Sequence, residues 1–317
     1  MNLPTILRRG ATAATLPLGI DIGQTRLRAA LLEMADDGPR LIAVAARERA
    51  GNLEDRLRDV LADLGTAERR CVFGITEPEG LVRPLVLPPM PSRERAQAAR
   101  FEADRFVQAD EPVVVRLFAI DENSRFALGI AKRRILDERL QIARALGLAC
   151  VAIDNAAFAY ERLAGPGQAI LDIGARAATL YLFGDRVPAT YRFDTGGERL
   201  TQAIAESLAI DFEAAERRKR THGLAGSAAY AVNAFLEAIS GTLVGARSRG
   251  LRIEQLGLTG NGTRLEDLIP ALETSTGLSV GRLDSLPLGC LTLPPDVVRA
   301  ESADWSLAIG LALRGIK

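Results

Sequence analysis

Apolar and polar positions along the chain fall into short blocks that read in turn as strands and helices. Leu18-Gly19-Ile20-Asp21-Ile22 is an apolar strand, Asp-Ile-Gly makes a tight turn, and residues 26–32 form a second apolar strand. Residues 40–48 predict a third strand. Residues 53–64 predict a helix with Leu53, Leu57, Val60, Leu61 and Leu64 on one face, and residues 71–75 return as a short buried strand. This order suits one α/β lobe. From about Gly80 the texture changes. A strand over 81–87 is broken by Pro88-Pro89-Met90-Pro91, and Ser92 can cap a charged helix running to about Val107 with apolar points at Ala98, Phe101 and Val107. Strands over 113–120 and 126–131 follow, so the unit reads as a small β-α-β-β insert. A helix over 135–146, a buried strand over 149–153 and a helix over 154–163, with Asp154 as a candidate N-cap, complete the first half.

The opening pattern then returns. Ala169-Ile170-Leu171-Asp172-Ile173-Gly174 leads into a second apolar strand through Phe183, nearly half the chain after its first occurrence. A further strand runs over 188–193. Asp194-Thr195-Gly196-Gly197-Glu198 breaks it and opens a helix over 199–208. Another helix starts near Asp211 and ends basic at Thr221-His222-Gly223, as the helix dipole favours. A long helix over 228–245 precedes a strand over 253–258, the Gly-rich turn Thr259-Gly260-Asn261-Gly262-Thr263 and a helix from about Leu265. The last helix, 302–314, is apolar enough to pack back on the first lobe. The expected organisation is an arm (1–16), a first lobe (17–165) carrying an insert at about 80–131, a second lobe (166–301) and a returning C-terminal helix (302–317).

Two similar hairpins, one opening each half, suggest related lobes facing across a cleft. Glycine at each turn lets backbone N–H groups approach phosphate oxygens, and the neighbouring carboxylate can hold a hydrated metal ion. Either tripeptide alone would be only a β-turn. The repeat with matching flanks, joined by the Gly-rich turn between strand and helix, points to a nucleotide.

Composition narrows the function classes. Lys+Arg and Asp+Glu both number 40, so no net charge draws the chain to nucleic acid or an anionic membrane. Only Lys132, Lys219 and Lys317 are lysines, so arginine supplies nearly all the positive charge. Cys71, Cys150 and Cys290 stand apart in apolar surroundings and read as buried thiols of a reducing compartment. A single histidine, His222, leaves almost no material for a zinc site or a Ser-His-Asp triad. No apolar run approaches the ~18 residues of a membrane span, and the first sixteen residues lack a secretory core. The expected location is cytoplasmic.

Taken together, the hairpins, Gly196-Gly197-Glu198, the Gly-rich turn and the closing Ala308-Ile309-Gly310-Leu311-Ala312-Leu313 resemble the actin-like ATPase superfamily, a two-lobed α/β fold of the ribonuclease H-like kind. Within it the chain is most similar to the type IV pilus assembly PilM family. Leu87-Pro88-Pro89-Met90-Pro91, Ala99 to Asp104, Gly147 to Ala159 and Thr195 to Lys219 carry that resemblance. It implies ATP with Mg²⁺ between the lobes. Asp21, Gly23, Gln24, Thr25 and Arg28 match the first phosphate hairpin, with Arg28 where relatives usually have lysine. Asp172, Gly174 and Thr179 match the second, and both aspartates would hold the metal through water. Gly196, Gly197, Glu216 and Lys219 lie where the family approaches ribose and base, and Gly260, Asn261 and Gly262 match the adenosine turn. Gln24 and Arg26 replace small hydroxyl residues, and Ala178 replaces a Thr or Ser. Ala156 stands where relatives often place a glutamate, which leaves Asp154 as the nearest substitute for activating water and implies slow or absent turnover.

The implied partner is the cytoplasmic N-terminal segment of a PilN-type single-span inner-membrane protein. It would bring the chain indirectly to the inner face of that membrane. Met90, Phe101 and Phe106 are candidate groove residues for it, or else simply the core of the insert. Two other readings stand beside this one. Asp154-Asn155-Ala156-Ala157 loosely resembles the catalytic-Asp segment of sugar kinases of the same fold. The chain would otherwise be a degenerate scaffold that binds no nucleotide.

Overall fold

The computed structural model describes residues 14–36, 38–107, 111–121, 124–184, 186–224, 226–265, 267–284 and 299–314. Most of the expected arm, and Cys290, lie outside the described residues. In chain order the first half holds β1 (Ala14–Thr15), β2 (Leu18–Ile22), β3 (Arg26–Ala35), β4 (Gly38–Glu48), α1 (Leu53–Leu64), β5 (Arg70–Ile75), β6 (Gly80–Val86), α2 (Ser92–Ala103), β7 (Val113–Ala119), β8 (Arg125–Lys132), α3 (Arg133–Ala145), β9 (Ala149–Asn155) and α4 (Ala156–Glu161). The second half holds β10 (Gln168–Ile173), β11 (Ala178–Leu182), β12 (Ala189–Phe193), α5 (Gly197–Leu208), α6 (Phe212–His222), α7 (Ala229–Ser248), β13 (Gln255–Thr259), α8 (Leu268–Thr276), β14 (Ser279–Arg282) and α9 (Ser306–Ala312).

The repeat seen in the sequence is a repeat of sheet topology. The first sheet runs β4-β3-β2-β5-β9, and the second runs β12-β11-β10-β13-β14. In each, an antiparallel meander places the Asp-Ile-Gly strand third, and two parallel strands follow it. Each sheet buries its apolar positions against its own helices: Leu27, Leu57, Val60 and Phe73 on one side of the molecule, and Leu180, Leu200, Phe235 and Leu258 on the other. Helix α1 forms where its apolar face predicts. Asn52 caps its start by accepting from the Asp55 amide, and Gly65, left-handed at φ 59°, ends it.

The insert is a separate three-stranded antiparallel sheet, β6-β8-β7, with α2 packed on it. Here the sequence expectation needs correction. Ser92 is the first helical residue, Pro91 stands at the cap position, and α2 stops at Ala103. Its buried points are Ala99 and Ala103, while Phe101 is 72% exposed. The insert's core therefore uses small helix residues against Leu128 and Ile130.

Strand β9 is an edge strand with Val151 exposed, not the buried strand expected. Cys150 on it faces Cys71 of β5 in register, so these two thiols do not stand apart. Helix α7 also corrects an expectation. By length and composition it is apolar enough to cross a membrane, with a mean hydropathy of 1.2. It packs the second lobe through Phe235, Leu236, Ile239 and Leu243 and carries Glu237 and Asn233 outward.

Helix α9 comes back from the second lobe and lies on β2, β3, β5 and α4 of the first. Gly19 makes this possible: a Cβ there would fall 1.8 Å from the Ala308 carbonyl oxygen, so any side chain would push the helix off the sheet.

Candidate functional site

The strand order brings both Asp-Ile-Gly turns to one crevice between the lobes. Its wall includes Asp21, Gly23, Gln24, Thr25 and Arg28 from the first hairpin, Asp172, Gly174 and Thr179 from the second, and Gly260 and Asn261 from the turn after β13. The enclosed space is about 150 Å³, about half of the lower end of the range for small-ligand pockets.

The first turn is pinned from outside. The Arg49 amide donates to the Thr25 carbonyl at 2.9 Å, and the Arg49 guanidinium donates to the Gly23 carbonyl at 3.0 Å. Arg28, in register with Asp21 on the neighbouring strand, reaches the Asp21 carboxylate at 3.5 Å and donates to Asn261 Oδ1 at 2.8 Å. One guanidinium thus ties the first carboxylate to the opposite lobe. The second turn is held differently. Gly197 and Glu198 amides, at the start of α5, donate to the Gly174 and Ala175 carbonyls at 3.0 and 2.7 Å. Tyr160 of α4 donates its hydroxyl proton to Asp172 Oδ2 at 2.8 Å, and its ring lies 4.8 Å from that of Tyr181.

Burial dominates the electrostatics. It pushes Asp21 up to about 6, against the pull of Arg28 and with a further push from the charge on Asp172. Asp172 is raised by the same cause, opposed by the Tyr160 bond and by Arg28. Tyr160 and Tyr181 are raised by burial and by the Asp172 charge. The two carboxylates are therefore close enough to feel each other and poorly solvated, a state that an added cation would relieve.

Gly260 completes the site's geometry. Its φ of 80° lies in the left-handed region, and a Cβ would come 2.4 Å from Asp172 Oδ1. The turn can press on the second carboxylate only because that residue is glycine.

The remaining candidates stand elsewhere. Gly196, Gly197 and Gly262 are absent from the crevice lining and buttress the second hairpin: a Cβ at Gly262 would meet the Ile173 side chain at 2.3 Å. Lys219 is buried, and its ammonium gives its three protons to Gly197 O at 2.8 Å, Thr201 Oγ1 at 2.5 Å and Glu216 Oε2 at 2.7 Å. Burial opposes ionisation of Glu216, but the bonds from Lys219, Thr201 and Arg220 outweigh it and hold the carboxyl down at about 2. This pair is fully engaged in joining α5 to α6.

Asp154 is the clearest departure. Asn155, not Asp154, caps α4 by accepting from the Ala157 amide at 2.9 Å. Asp154 is buried in an ion pair with Arg162 at 2.7 Å, and Arg162 also donates to the Gly310 carbonyl of α9 at 3.0 Å. It does not line the crevice. Ala156 is wholly buried.

Tyr160, Tyr181, Arg49 and residues 76–79 line the crevice and were not singled out from sequence. Tyr160 left one signal, as the polar-tipped member of an otherwise apolar helix face. Glu77 on that wall accepts from Arg83 of the insert at 2.8 Å and from the Thr190 hydroxyl of the second lobe, so the insert touches both lobes. The proposed groove residues are not brought together. Met90 lines a hollow of about 520 Å³ with Pro88, Pro89, Ile120 and Phe126, Phe101 points to solvent, and Phe106 lies under the Arg83 guanidinium at 5.6 Å.

A family model described as type IV pilus assembly protein PilM matches residues 119–316. Among solved structures the chain is similar to the PilM-PilN type IV pilus biogenesis complex, with a TM-score of 0.80 and 25% identity over 95% of this chain and 98% of that one. It is also similar to ethanolamine utilization protein EutJ from Carboxydothermus hydrogenoformans, with a TM-score of 0.57 and 14% identity over 97% and 92% of the two chains. Diol dehydratase-reactivating factor in nucleotide-free form gives 0.61 and 10% over 95% and 99%. The last two share the fold alone. No curated protein matches the sequence.

Proposed function

The chain belongs to the type IV pilus assembly protein PilM family, with the two-lobed actin-like ATPase fold, and from that premise we propose that it is an ATP-binding scaffold of a pilus assembly platform. The observation that carries the reading is the convergence of both Asp-Ile-Gly turns and the Gly260 turn on one crevice. The donors fit a polyphosphate: Arg28, the exposed Gln24 and Thr25, and the Thr179 hydroxyl all border it. Mg²⁺, when bound, would supply the charge that lets phosphate oxygens and two carboxylates share the space. Among the described residues no group of three or more His, Cys, Asp or Glu assembles as a metal site. Asp21 and Asp172 would therefore hold the ion through water.

Entry of a whole nucleotide requires the Arg28–Asn261 contact to part, which opens the angle between lobes. Turnover is slow or absent, because Ala156 carries no carboxyl and Asp154 is spent on Arg162. The scaffold's partner is the cytoplasmic N-terminal segment of a PilN-type single-span inner-membrane protein, which brings the chain to the inner face of the membrane. The hollow around Met90, Pro88 and Pro89 suits an apolar segment of that kind, and the family's structural relative is itself a PilM-PilN complex.

Calorimetry with ATP and Mg²⁺ on the wild type and on Asp21→Ala tests the cofactor. Heat from the wild type and none from the variant is expected, and no heat from either removes it. Anisotropy of a labelled peptide copying the PilN-type N-terminus tests the partner, with Met90→Glu expected to weaken binding at least tenfold.

A further inference from the structure

Cys71 and Cys150 are facing thiols on the last two strands of the first sheet. They stand opposite each other where β5 and β9 run parallel, and both pack into the core that holds Leu57, Ile142 and Leu148. Residues in register on neighbouring strands sit about 4.8 Å apart, inside the range of about 4.4–6.8 Å between the α-carbons of a disulfide. Their side chains leave the sheet on one face, and the Cys71 thiol is within hydrogen-bonding reach of the Cys150 sulfur.

The two sulfurs differ in access and in acidity. Cys71 is wholly buried, whereas Cys150 is half-buried on an edge strand. Directly after Cys150 the register slips, so Val151 has no opposite residue on β5 and turns to solvent. A bulge at a sheet edge gives the backbone room to adjust beside the sulfur. The bond from Cys71 holds the Cys150 thiol down at about 7 against the push of burial, and the same contact together with burial pushes Cys71 up. A thiol that ionises near neutrality and reaches solvent, with a second thiol behind it, is the arrangement of a reacting and a resolving cysteine. Among the described residues no third metal-binding side chain gathers with them.

We propose that the facing thiols of β5 and β9 are a redox modification site, at which Cys150 reacts with a low-molecular-weight disulfide and Cys71 resolves the adduct, fastening β9 to β5. The Cys150 thiolate attacks one sulfur of the small disulfide, so that a mixed disulfide forms on Cys150 and one half leaves as a thiolate. Cys71 then loses its proton and its sulfur attacks Cys150 Sγ, expelling the second half. The two cysteines give up two electrons and two protons in all, and the small disulfide takes them up to become two free thiols. Strand β9 ends at Asn155, the cap of α4, so the link fastens the strand that leads to Tyr160. In a reducing compartment such a bond is transient and reports oxidation. The inference uses neither the nucleotide nor the partner reading.

Treatment of the folded full chain with oxidised glutathione tests it, followed by alkylation in urea and peptide mapping by mass, which keeps Cys290 apart from the pair. In the wild type a peptide pair joined through Cys71 and Cys150 and lighter by two hydrogens is expected, and dithiothreitol should return both thiols. Cys71→Ser is expected to stop with glutathione on Cys150, and Cys150→Ser to leave Cys71 unmodified. Cys71→Ala replaces the first variant should that one fail to fold. Amide exchange over β9 is expected to slow about tenfold in the linked protein, since an edge strand is otherwise free to open locally. A wild type in which the pair stays unlinked, a Cys71→Ser protein without the Cys150 adduct, a Cys150→Ser protein modified at Cys71, or a link that leaves exchange over β9 unchanged would overturn the proposal.

Discussion

The two hairpins share a sequence pattern, a strand position and a crevice, yet their carboxylates are neutralised by different chemistry. Asp21 is paired with a cation, and that cation reaches on to the second lobe through Asn261. Asp172 receives one proton donor, the Tyr160 hydroxyl, from the first lobe. A permanent charge holds one turn and a neutral phenol the other. Duplication of a fold therefore leaves the placement of a carboxylate intact while its partner is free to diverge, and the charge balance of the crevice is set by the partners.

The largest effect should come from removing the cation. Arg28→Met takes the cation from a carboxylate whose folded value is already about 6, so Asp21 answers by taking up a proton, and the loss at pH 8 is limited to about 3 kcal/mol. Urea unfolding at pH 8 measures it, and a loss under 1 kcal/mol would mean that the pair is solvated like a surface one.

Next is the pH dependence. Asp21 has its folded value raised from 3.8 to about 6, so the folded chain binds its proton more tightly than the unfolded chain does. The resulting contribution is fully present below pH 3.8 and is lost as pH rises through about 6. It amounts to about 3 kcal/mol at 1.4 kcal/mol per unit. Asp21→Asn should remove that slope and unfold at a higher urea midpoint than the wild type at pH 8, with the difference shrinking toward zero near pH 4. Equal slopes for the two proteins would break the assignment.

Tyr160→Phe deletes only the donor to Asp172 and should cost about 2 kcal/mol, within the range for hydrogen bonds to charged groups. The effect should grow with pH as Asp172 ionises. Asn261→Ala removes the acceptor of the bond that the Arg28 guanidinium sends to the second lobe and, since Asn261 is part-exposed, should cost about 1 kcal/mol. Hydrogen exchange should then rise at the two turns while both sheets stay protected. If Asn261→Ala proves more damaging than Tyr160→Phe, the contrast between the hairpins has been drawn the wrong way round.

Much of this architecture was legible in the chain. Alternation and turn glycines announced both hairpins, the β-α-β-β insert and the returning helix, because strand and helix periods are local properties. The site was less legible wherever a partner comes from far along the sequence. Nothing near Asp154 in sequence says that Arg162 will tie it to the Gly310 carbonyl of α9, and although Glu216 lies one turn before Lys219, nothing there shows that Gly197 and Thr201 will take its other protons. Tyr160 was hidden by the apolar run around it. Phe101 misled for the opposite reason: helical spacing allowed it inward, but the insert's sheet leaves room only for Ala99 and Ala103 on that face of α2.

The seat of α9 on β2 has a bearing on how the molecule comes into being. The strand that Gly19 lays bare is made well before the helix that covers it, which emerges some hundreds of residues later, on the order of 15–60 s at ordinary ribosomal speeds. Until then one side of the earlier sheet has its greasy stripe in water, and a nascent chain in that condition is a natural client for holding chaperones.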